Sequence, residues 1–168
     1  GSVVPLFLRQ IQAGGPLTLT EPGMTRFVMT MDEAIELVLH AMTRAKPGDI
    51  WVRKAPACTT EHLARALLEL LGKSNPVFVV GIRHGEKRNE TLVTEEESAR
   101  AEDLGTYFRI PRDDRDLYYE IPTVAPAGES APAPSYHSRM ARQLTIKQIQ
   151  EKLLQVPAVR AAVGGGWT

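Results

Sequence analysis

The 168-residue chain lacks most of the features that mark secreted, membrane or nucleic-acid-binding proteins. It contains one cysteine, Cys58, so it has no disulfide framework, and we expect it to reside in a reducing cytoplasm. No apolar run approaches the roughly 18 residues that a membrane span needs, and no secretory signal pattern is present. Its 20 basic and 20 acidic residues balance, which argues against a broad nucleic-acid or membrane-binding surface.

The motifs of several enzyme classes are also missing. No Gly-x-Gly-x-x-Gly or Walker loop occurs, so no dinucleotide or triphosphate cradle is visible. No tyrosine is followed four positions later by lysine. The four histidines are far apart and show no metal-ligand spacing, so we predict no metal site. Cys58 has no evident base partner, so we do not expect it to act as a nucleophile.

What the sequence does contain is an alternation of helical and strand patterns, which predicts an α/β fold with some parallel pairing. We predict helices over 3–13, 31–46, 60–71 and from 146 onward, and strands over 17–20, 27–29, 49–52, 77–82 and 107–110. Capping boxes at Thr30 with Glu33, and at Thr145 with Gln148, mark two of the helix starts. The apolar, β-branched run 77–82 is predicted to be a buried strand.

Composition divides the chain into three predicted regions. Residues 1–122 form an α/β region, 123–136 a Pro/Ala-rich linker or loop, and 137–168 a C-terminal helical tail.

Charged residues near the ends of two predicted strands mark a candidate site. Arg83, Gly85 and Glu86 follow the strand 77–82, at the kind of edge where open α/β sheets bind ligands. An arginine there suits a diphosphate, because its planar fork can grip two phosphate oxygens. Arg26 is a second cation that could reach the same ligand. The alternatives are a surface ion pair at Arg83 and Glu86, and a structural pairing of Arg26 with Asp32 or Glu33.

A set of short segments, taken in order, resembles the C-terminal part of nucleotide-sugar enzymes of the extended short-chain dehydrogenase/reductase family. The segments are Gly1-Ser2-Val3-Val4-Pro5-Leu6-Phe7, Pro16-Leu17-Thr18-Leu19-Thr20, Met24-Thr25-Arg26-Phe27, Asp32-Glu33-Ala34, Gly48-Asp49-Ile50, Arg83-His84-Gly85-Glu86-Lys87, Ala101-Glu102-Asp103-Leu104, Tyr107-Phe108-Arg109-Ile110-Pro111 and Tyr136-His137-Ser138. The chain is most similar to the UDP-N-acetylglucosamine 4,6-dehydratase/5-epimerases of polysaccharide (capsule and O-antigen, hence lipopolysaccharide) biosynthesis.

This resemblance implies a fold and a missing half. The fold would be the C-terminal portion of an NAD(P)-binding Rossmann-type extended enzyme, with late Rossmann strands and helices plus the smaller substrate-binding domain. The parent enzyme would hold NADP or NAD in an N-terminal Rossmann domain, together with the Gly-rich loop and the catalytic Tyr and Lys, and would be a homo-oligomer. This chain would begin after those elements, bind no cofactor by itself and be inactive alone.

The resemblance also implies that 1–122 is a nucleotide-sugar-binding region, and it assigns roles to individual residues there. The backbone near Val4 and Pro5, with the strand that contains Thr18, would hold the uracil. Arg26 and Arg83 would bind the diphosphate of UDP-N-acetylglucosamine or a related UDP-sugar.

Glu86 would bind ribose hydroxyls or orient Arg83, and no catalytic residue would lie in this chain. In the parent, hydride would leave the sugar C4, water would be eliminated across C5 and C6, and hydride would return at C6. Two other interpretations are a stand-alone nucleotide-sugar-binding or interaction module without catalysis, and part of a UDP-glucose or UDP-N-acetylglucosamine 4-epimerase.

Overall fold

The computed structural model describes residues 3–112 and 134–165, and these divide into two compact units. Among the described residues, unit 1 comprises 3–30, 55–90 and 138–165, and unit 2 comprises 31–54, 91–112 and 134–137. Most of the predicted linker 123–136 lies outside the described residues, so the predicted three-region division stays a prediction.

Helices and strands alternate along the chain, which confirms the predicted α/β class. In chain order the elements are α1 Val3–Gln12, β1 Leu17–Leu19, β2 Thr25–Phe27, α2 Met31–Arg44, β3 Ile50–Arg53, β4 Ala57–Thr59, α3 Thr60–Leu71, β5 Val77–Val79, β6 Thr91–Val93, α4 Glu95–Ser98, β7 Glu102–Asp103, β8 Tyr107–Ile110, β9 Tyr136–His137, α5 Ile146–Leu153 and α6 Pro157–Val163. None of the described helices is long and apolar enough to span a bilayer.

Unit 1 is organised around helices packed on two short strand pairs. β1 pairs with β5 in parallel, and β2 pairs with β4 antiparallel. The core between them consists of apolar side chains from α1, β1, α3, α5 and α6, among them Phe7, Leu17, Leu67, Ile149 and Val159, all fully buried. These contacts tie the C-terminal helices to the N-terminal half of the chain, so the two ends of the sequence build one core.

Local signals define the ends of the helices in unit 1. The Thr59 side chain accepts a hydrogen bond from the backbone N–H of His62, which caps α3 at its start. Gly72 ends the same helix in a left-handed conformation, with φ of 60°. The predicted capping box of Thr145 and Gln148 is confirmed at the start of α5.

Two strand predictions are wrong. The run 77–82 was expected to be a buried strand, yet β5 covers only Val77–Val79 and its side chains are 42–58% exposed. β1 is its one strand neighbour among the described residues, so neither face of β5 is covered as in a full parallel sheet. The strand expected at 27–29 is β2, Thr25–Phe27, because pairing with β4 sets its register.

Unit 2 contains an antiparallel sheet in the order β3-β8-β7 and a separate β6-β9 pair. Val52, Val93 and Ile110 form its small buried core. The amphipathic helix α2 packs on β3, while five of its apolar side chains are at least half exposed: Met31, Ile35, Val38, Leu39 and Met42.

Candidate functional site

A pocket of about 580 Å³ opens within unit 1 between the start of α1, the β2 region, the start of α3, and α5. Its walls are largely apolar, with contributions from Val3, Met24, Val28, Leu63 and Leu153. The charged residues that line it are Arg26, Glu86 and Lys152, and the hydroxyl-bearing residues are Thr20, Thr30 and Thr60. An apolar cleft with a few polar groups is the usual form of a small-molecule site.

Val4 and Pro5 reach this pocket from the first turn of α1. Proline is tolerated there because the first backbone N–H groups of a helix have no partner within the helix. Phe7, Leu8 and Ile11, on the same helix, are buried in the unit 1 core and fix the helix in place. The N-terminal turn is therefore held at the pocket by the packing of the turns that follow it.

The Arg26 guanidinium is held by a set of polar contacts. Its Nη1 donates to the Thr25 carbonyl oxygen at 2.8 Å and to the Arg88 carbonyl oxygen at 3.3 Å. Its Nη2 lies 3.2 Å from the Met24 sulfur, and its Nε lies 3.4 Å from a carboxylate oxygen of Glu90. The side chain remains about 29% exposed, so the arginine is oriented by protein groups yet accessible to a ligand.

Glu86 and Arg83 form a turn beside the pocket. The backbone N–H of Arg83 donates to Glu86 Oε2 at 3.0 Å, and the backbone N–H of Glu86 donates to the Arg83 carbonyl at 3.1 Å. Gly85 takes a φ of 85° in this turn, a conformation that favours glycine. Glu86 lines the pocket, whereas Arg83 is exposed and is not among the residues of the pocket wall.

Thr18 lies on β1, away from the pocket wall. Its hydroxyl accepts from Gln10 Nε2 at 2.8 Å, and its backbone N–H donates to Gln10 Oε1 at 3.2 Å. These two bonds tie β1 to α1.

The structure thus gathers Val4, Pro5, Arg26 and Glu86 of the six predicted site residues around one pocket, and it places Thr18 and Arg83 outside its lining. Direct ligand contact by any of the six stays a prediction.

Lys152, a pocket residue on α5, was not among the predicted site residues. The apolar positions Ile149 and Leu153 define the buried face of α5, and Lys152 is flanked by them in the helical repeat. A basic residue at the border of an apolar stripe was the available signal, because such a side chain packs its methylenes on the core and extends its amine outward.

Cys58 also contributes to the pocket wall, although only 1% of its surface is exposed. Burial raises the pKa of its thiol to about 11, so the thiol is neutral at physiological pH. This environment is the opposite of the one that activates a nucleophilic cysteine, and it fits a structural side chain.

Unit 2 carries a shallower pocket of about 460 Å³ beside α2. His40 stacks on Tyr107 with ring centroids 4.2 Å apart, and Trp51 meets both rings edge-on. The Arg53 guanidinium pairs with Glu36 at 2.7 Å. Burial alone would lower the pKa of Arg53, but the hydrogen bond to Glu36 and nearby charges raise it overall. These groups form an aromatic and ionic cluster, in which the buried Trp51 Nε1 has no hydrogen-bond partner among the described residues.

The unit 1 pocket has the chemistry of a binding site. Its cations suit an anionic group, its carboxylate suits ligand hydroxyls, and its apolar walls suit a flat or aliphatic portion of a ligand.

Across residues 3–112 and 134–165, no group of His, Cys, Asp or Glu side chains is arranged to hold a metal ion. The sequence has neither a dinucleotide loop nor a Tyr-x-x-x-Lys pair.

Comparisons with known proteins show the family to which the chain is related. The family model described as polysaccharide biosynthesis protein matches residues 1–112. Curated relatives include proteins named UDP-glucose 4-epimerase from Rickettsia prowazekii and Rickettsia felis, which are 46% and 45% identical over 160 residues. The match covers 95% of this chain and 47% of each relative, so the chain spans about half the length of these relatives.

A solved structure gives the same picture of the fold. The X-ray structure of Pen from Bacillus thuringiensis superposes with a TM-score of 0.73 at 31% sequence identity, covering 93% of this chain and 45% of that one. The predicted relationship to polysaccharide-biosynthesis proteins of the short-chain dehydrogenase/reductase type is confirmed.

Proposed function

The chain belongs to the polysaccharide biosynthesis protein family, and we propose that it is the UDP-sugar-binding part of a nucleotide-sugar epimerase or dehydratase. The observation that carries this proposal is the convergence of Val4, Pro5, Arg26 and Glu86 on a single pocket. These residues come from three separate segments, and the family resemblance assigns all of them to one ligand.

The pocket offers complementary groups to each part of a UDP-sugar. The turn at Val4 and Pro5 provides an apolar surface for the flat uracil. Arg26 provides the charge for the diphosphate, and Lys152 lines the same pocket as a second cation. Glu86 provides acceptor oxygens for ribose hydroxyls. In an enzyme that oxidises the sugar at C4, such a site would hold the reacting carbon in a fixed place, which accounts for a large part of the rate.

Two finer functions are compatible with this binding role. The names of the curated relatives favour 4-epimerisation of a UDP-hexose. The sequence resemblance favours 4,6-dehydration of UDP-N-acetylglucosamine. Both reactions begin at C4, and both need the nicotinamide chemistry that this chain does not supply, so we expect the chain alone to convert neither sugar.

The test is a titration of the chain with UDP, followed by two-dimensional ¹⁵N–¹H NMR and calorimetry. We expect Arg26→Ala to weaken UDP binding by about tenfold or more, because charged hydrogen bonds contribute about 1.5–3 kcal/mol. Arg65→Ala is the matched control, since Arg65 is an exposed arginine of unit 1 that pairs with Glu69 away from the pocket. Arg83→Ala tests separately whether the second predicted arginine reaches the diphosphate.

Equal UDP affinity in the wild type and Arg26→Ala would contradict the proposed site, as would an equal loss in Arg65→Ala. Comparison of UDP-glucose with UDP-N-acetylglucosamine then tests which sugar the site prefers. Tighter binding of UDP-glucose supports the UDP-glucose 4-epimerase assignment, and tighter binding of the N-acetylated sugar supports either the dehydratase or a UDP-N-acetylglucosamine 4-epimerase.

A further inference from the structure

Ser138 is fully buried in unit 1 and joins two segments that are far apart in sequence. Its hydroxyl oxygen accepts the backbone N–H of Glu90 at 2.9 Å. The same oxygen lies 2.6 Å from the Thr25 hydroxyl and 3.1 Å from the Thr25 carbonyl oxygen. The backbone N–H of Ser138 donates to the Glu90 carbonyl at 2.8 Å. A single side chain therefore fastens β2 to the segment that precedes β6.

The direction of these hydrogen bonds follows from counting protons. The Thr25 hydroxyl donates to Asn89 Oδ1 at 2.9 Å, which uses its only proton. The Ser138 hydroxyl must then be the donor toward Thr25, where both the hydroxyl and the carbonyl oxygen are within reach. Because the Glu90 N–H donates to the Ser138 hydroxyl, the hydroxyl groups of both Thr25 and Ser138 have hydrogen-bond partners.

Both residues that Ser138 holds are also partners of Arg26. The Thr25 carbonyl oxygen, which lies 3.1 Å from the Ser138 hydroxyl, also accepts from Arg26 Nη1 at 2.8 Å. Glu90, whose backbone N–H binds Ser138, places its carboxylate 3.4 Å from Arg26 Nε. The guanidinium is thus held from two directions by groups that share one buried serine.

We propose that Ser138 is a positioning residue that orients the Arg26 guanidinium at the pocket before a ligand arrives. A preorganised arginine loses less side-chain freedom on binding an anion, which increases affinity. The inference rests on the proposed function in one respect, since it takes the diphosphate of a nucleotide as the anion that Arg26 receives. The orientation of the free arginine does not depend on that assignment.

The first experiment therefore uses the ligand-free chain and records the side-chain Nε–Hε signal of Arg26 by ¹⁵N–¹H NMR, assigned by its disappearance in Arg26→Lys. We expect Ser138→Ala to move or broaden this signal because its contacts to Thr25 and Glu90 loosen. The control is Asn75→Ala, which removes the hydrogen bond from Asn75 Nδ2 to the Gly15 carbonyl elsewhere in unit 1. An Arg26 signal that Ser138→Ala leaves unchanged overturns the proposal.

The second experiment measures UDP affinity in a double-mutant cycle. We expect Ser138→Ala to weaken binding by about fivefold, the equivalent of one hydrogen bond, and to have no further effect in the Arg26→Ala background. The same loss in both backgrounds would show a general structural effect and refute a role through Arg26. Ser138→Cys conserves the shape with weaker hydrogen bonds, and it replaces Ser138→Ala in the cycle if the alanine variant folds poorly. We expect the cysteine variant to bind UDP more weakly than the wild type, but by less than fivefold.

Failure of the proposed function has a different signature. If the wild-type chain does not bind UDP while the Arg26 signal still responds to Ser138→Ala, the positioning role stands and the diphosphate assignment fails.

Discussion

The buried thiol of Cys58 provides a quantitative test of the unit 1 core. Burial raises its pKa from 9.0 to about 11. Cys58 is the only cysteine in the chain, so the rate of thiol modification reports on this position alone. At pH 8 the thiolate fraction is roughly a hundredfold lower in the folded than in the unfolded chain, since two pKa units separate the states. We therefore expect iodoacetamide to modify the folded protein about a hundredfold more slowly than the urea-unfolded protein, as followed by mass spectrometry.

The same pKa difference has a consequence for stability. Between about pH 9 and 11 the unfolded chain loses its thiol proton and the folded chain retains it, so the folded state binds more protons. The free energy of unfolding must then fall as the pH rises through this window, by up to about 3 kcal/mol, and the contribution is fully present below pH 9.

Other groups titrate in this range, so the prediction concerns a difference between two proteins. Urea unfolding of the wild type and of Cys58→Ala at pH 8, 9, 10 and 11 isolates the cysteine. We expect the wild type to lose stability more steeply than the variant. Parallel pH profiles, or rapid alkylation of the folded wild type at pH 8, would refute the argument that Cys58 is sealed in the core.

Two further predictions concern packing and backbone geometry. Leu67 is fully buried on α3, and we expect Leu67→Ala to lower the free energy of unfolding, measured by urea denaturation, by about 3 kcal/mol. Leu154 is 40% exposed, and we expect Leu154→Ala to lower it by less than half of that amount. Gly48→Ala is expected to destabilise unit 2 more than Gly105→Ala by thermal unfolding. Both glycines have positive φ, but an added Cβ at Gly48 lies 2.7 Å from Arg112 Cβ, while Gly105 faces open space. Equal losses within either pair would contradict the corresponding contact.

Local sequence signals predicted much of the secondary structure. The helical repeats and the capping box at Thr145 act within a few residues, so they are readable without knowledge of the fold. The β-strands were less predictable. The apolar run after Pro76 has the composition of a buried strand, yet β5 is exposed, because burial depends on which other segments cover it.

The candidate site shows the same division between local and tertiary information. Motif resemblance identified Val4, Pro5, Arg26 and Glu86 from the sequence, and the fold places them on one pocket. It did not reveal Lys152, whose helix reaches the pocket only through packing on the unit 1 core. Nor did it reveal a role for Ser138, which lies 113 positions from Thr25 along the chain.

The sequence by itself determined the residue types available for binding, the family, and the ends of the better helices, because these depend on local chemistry and on ordered motifs. The tertiary structure decided which cations share a pocket, which thiol is sealed from water, and which carbonyl oxygen orients Arg26. Those properties arise from contacts between segments far apart in sequence, and their geometry exists only once the chain has folded.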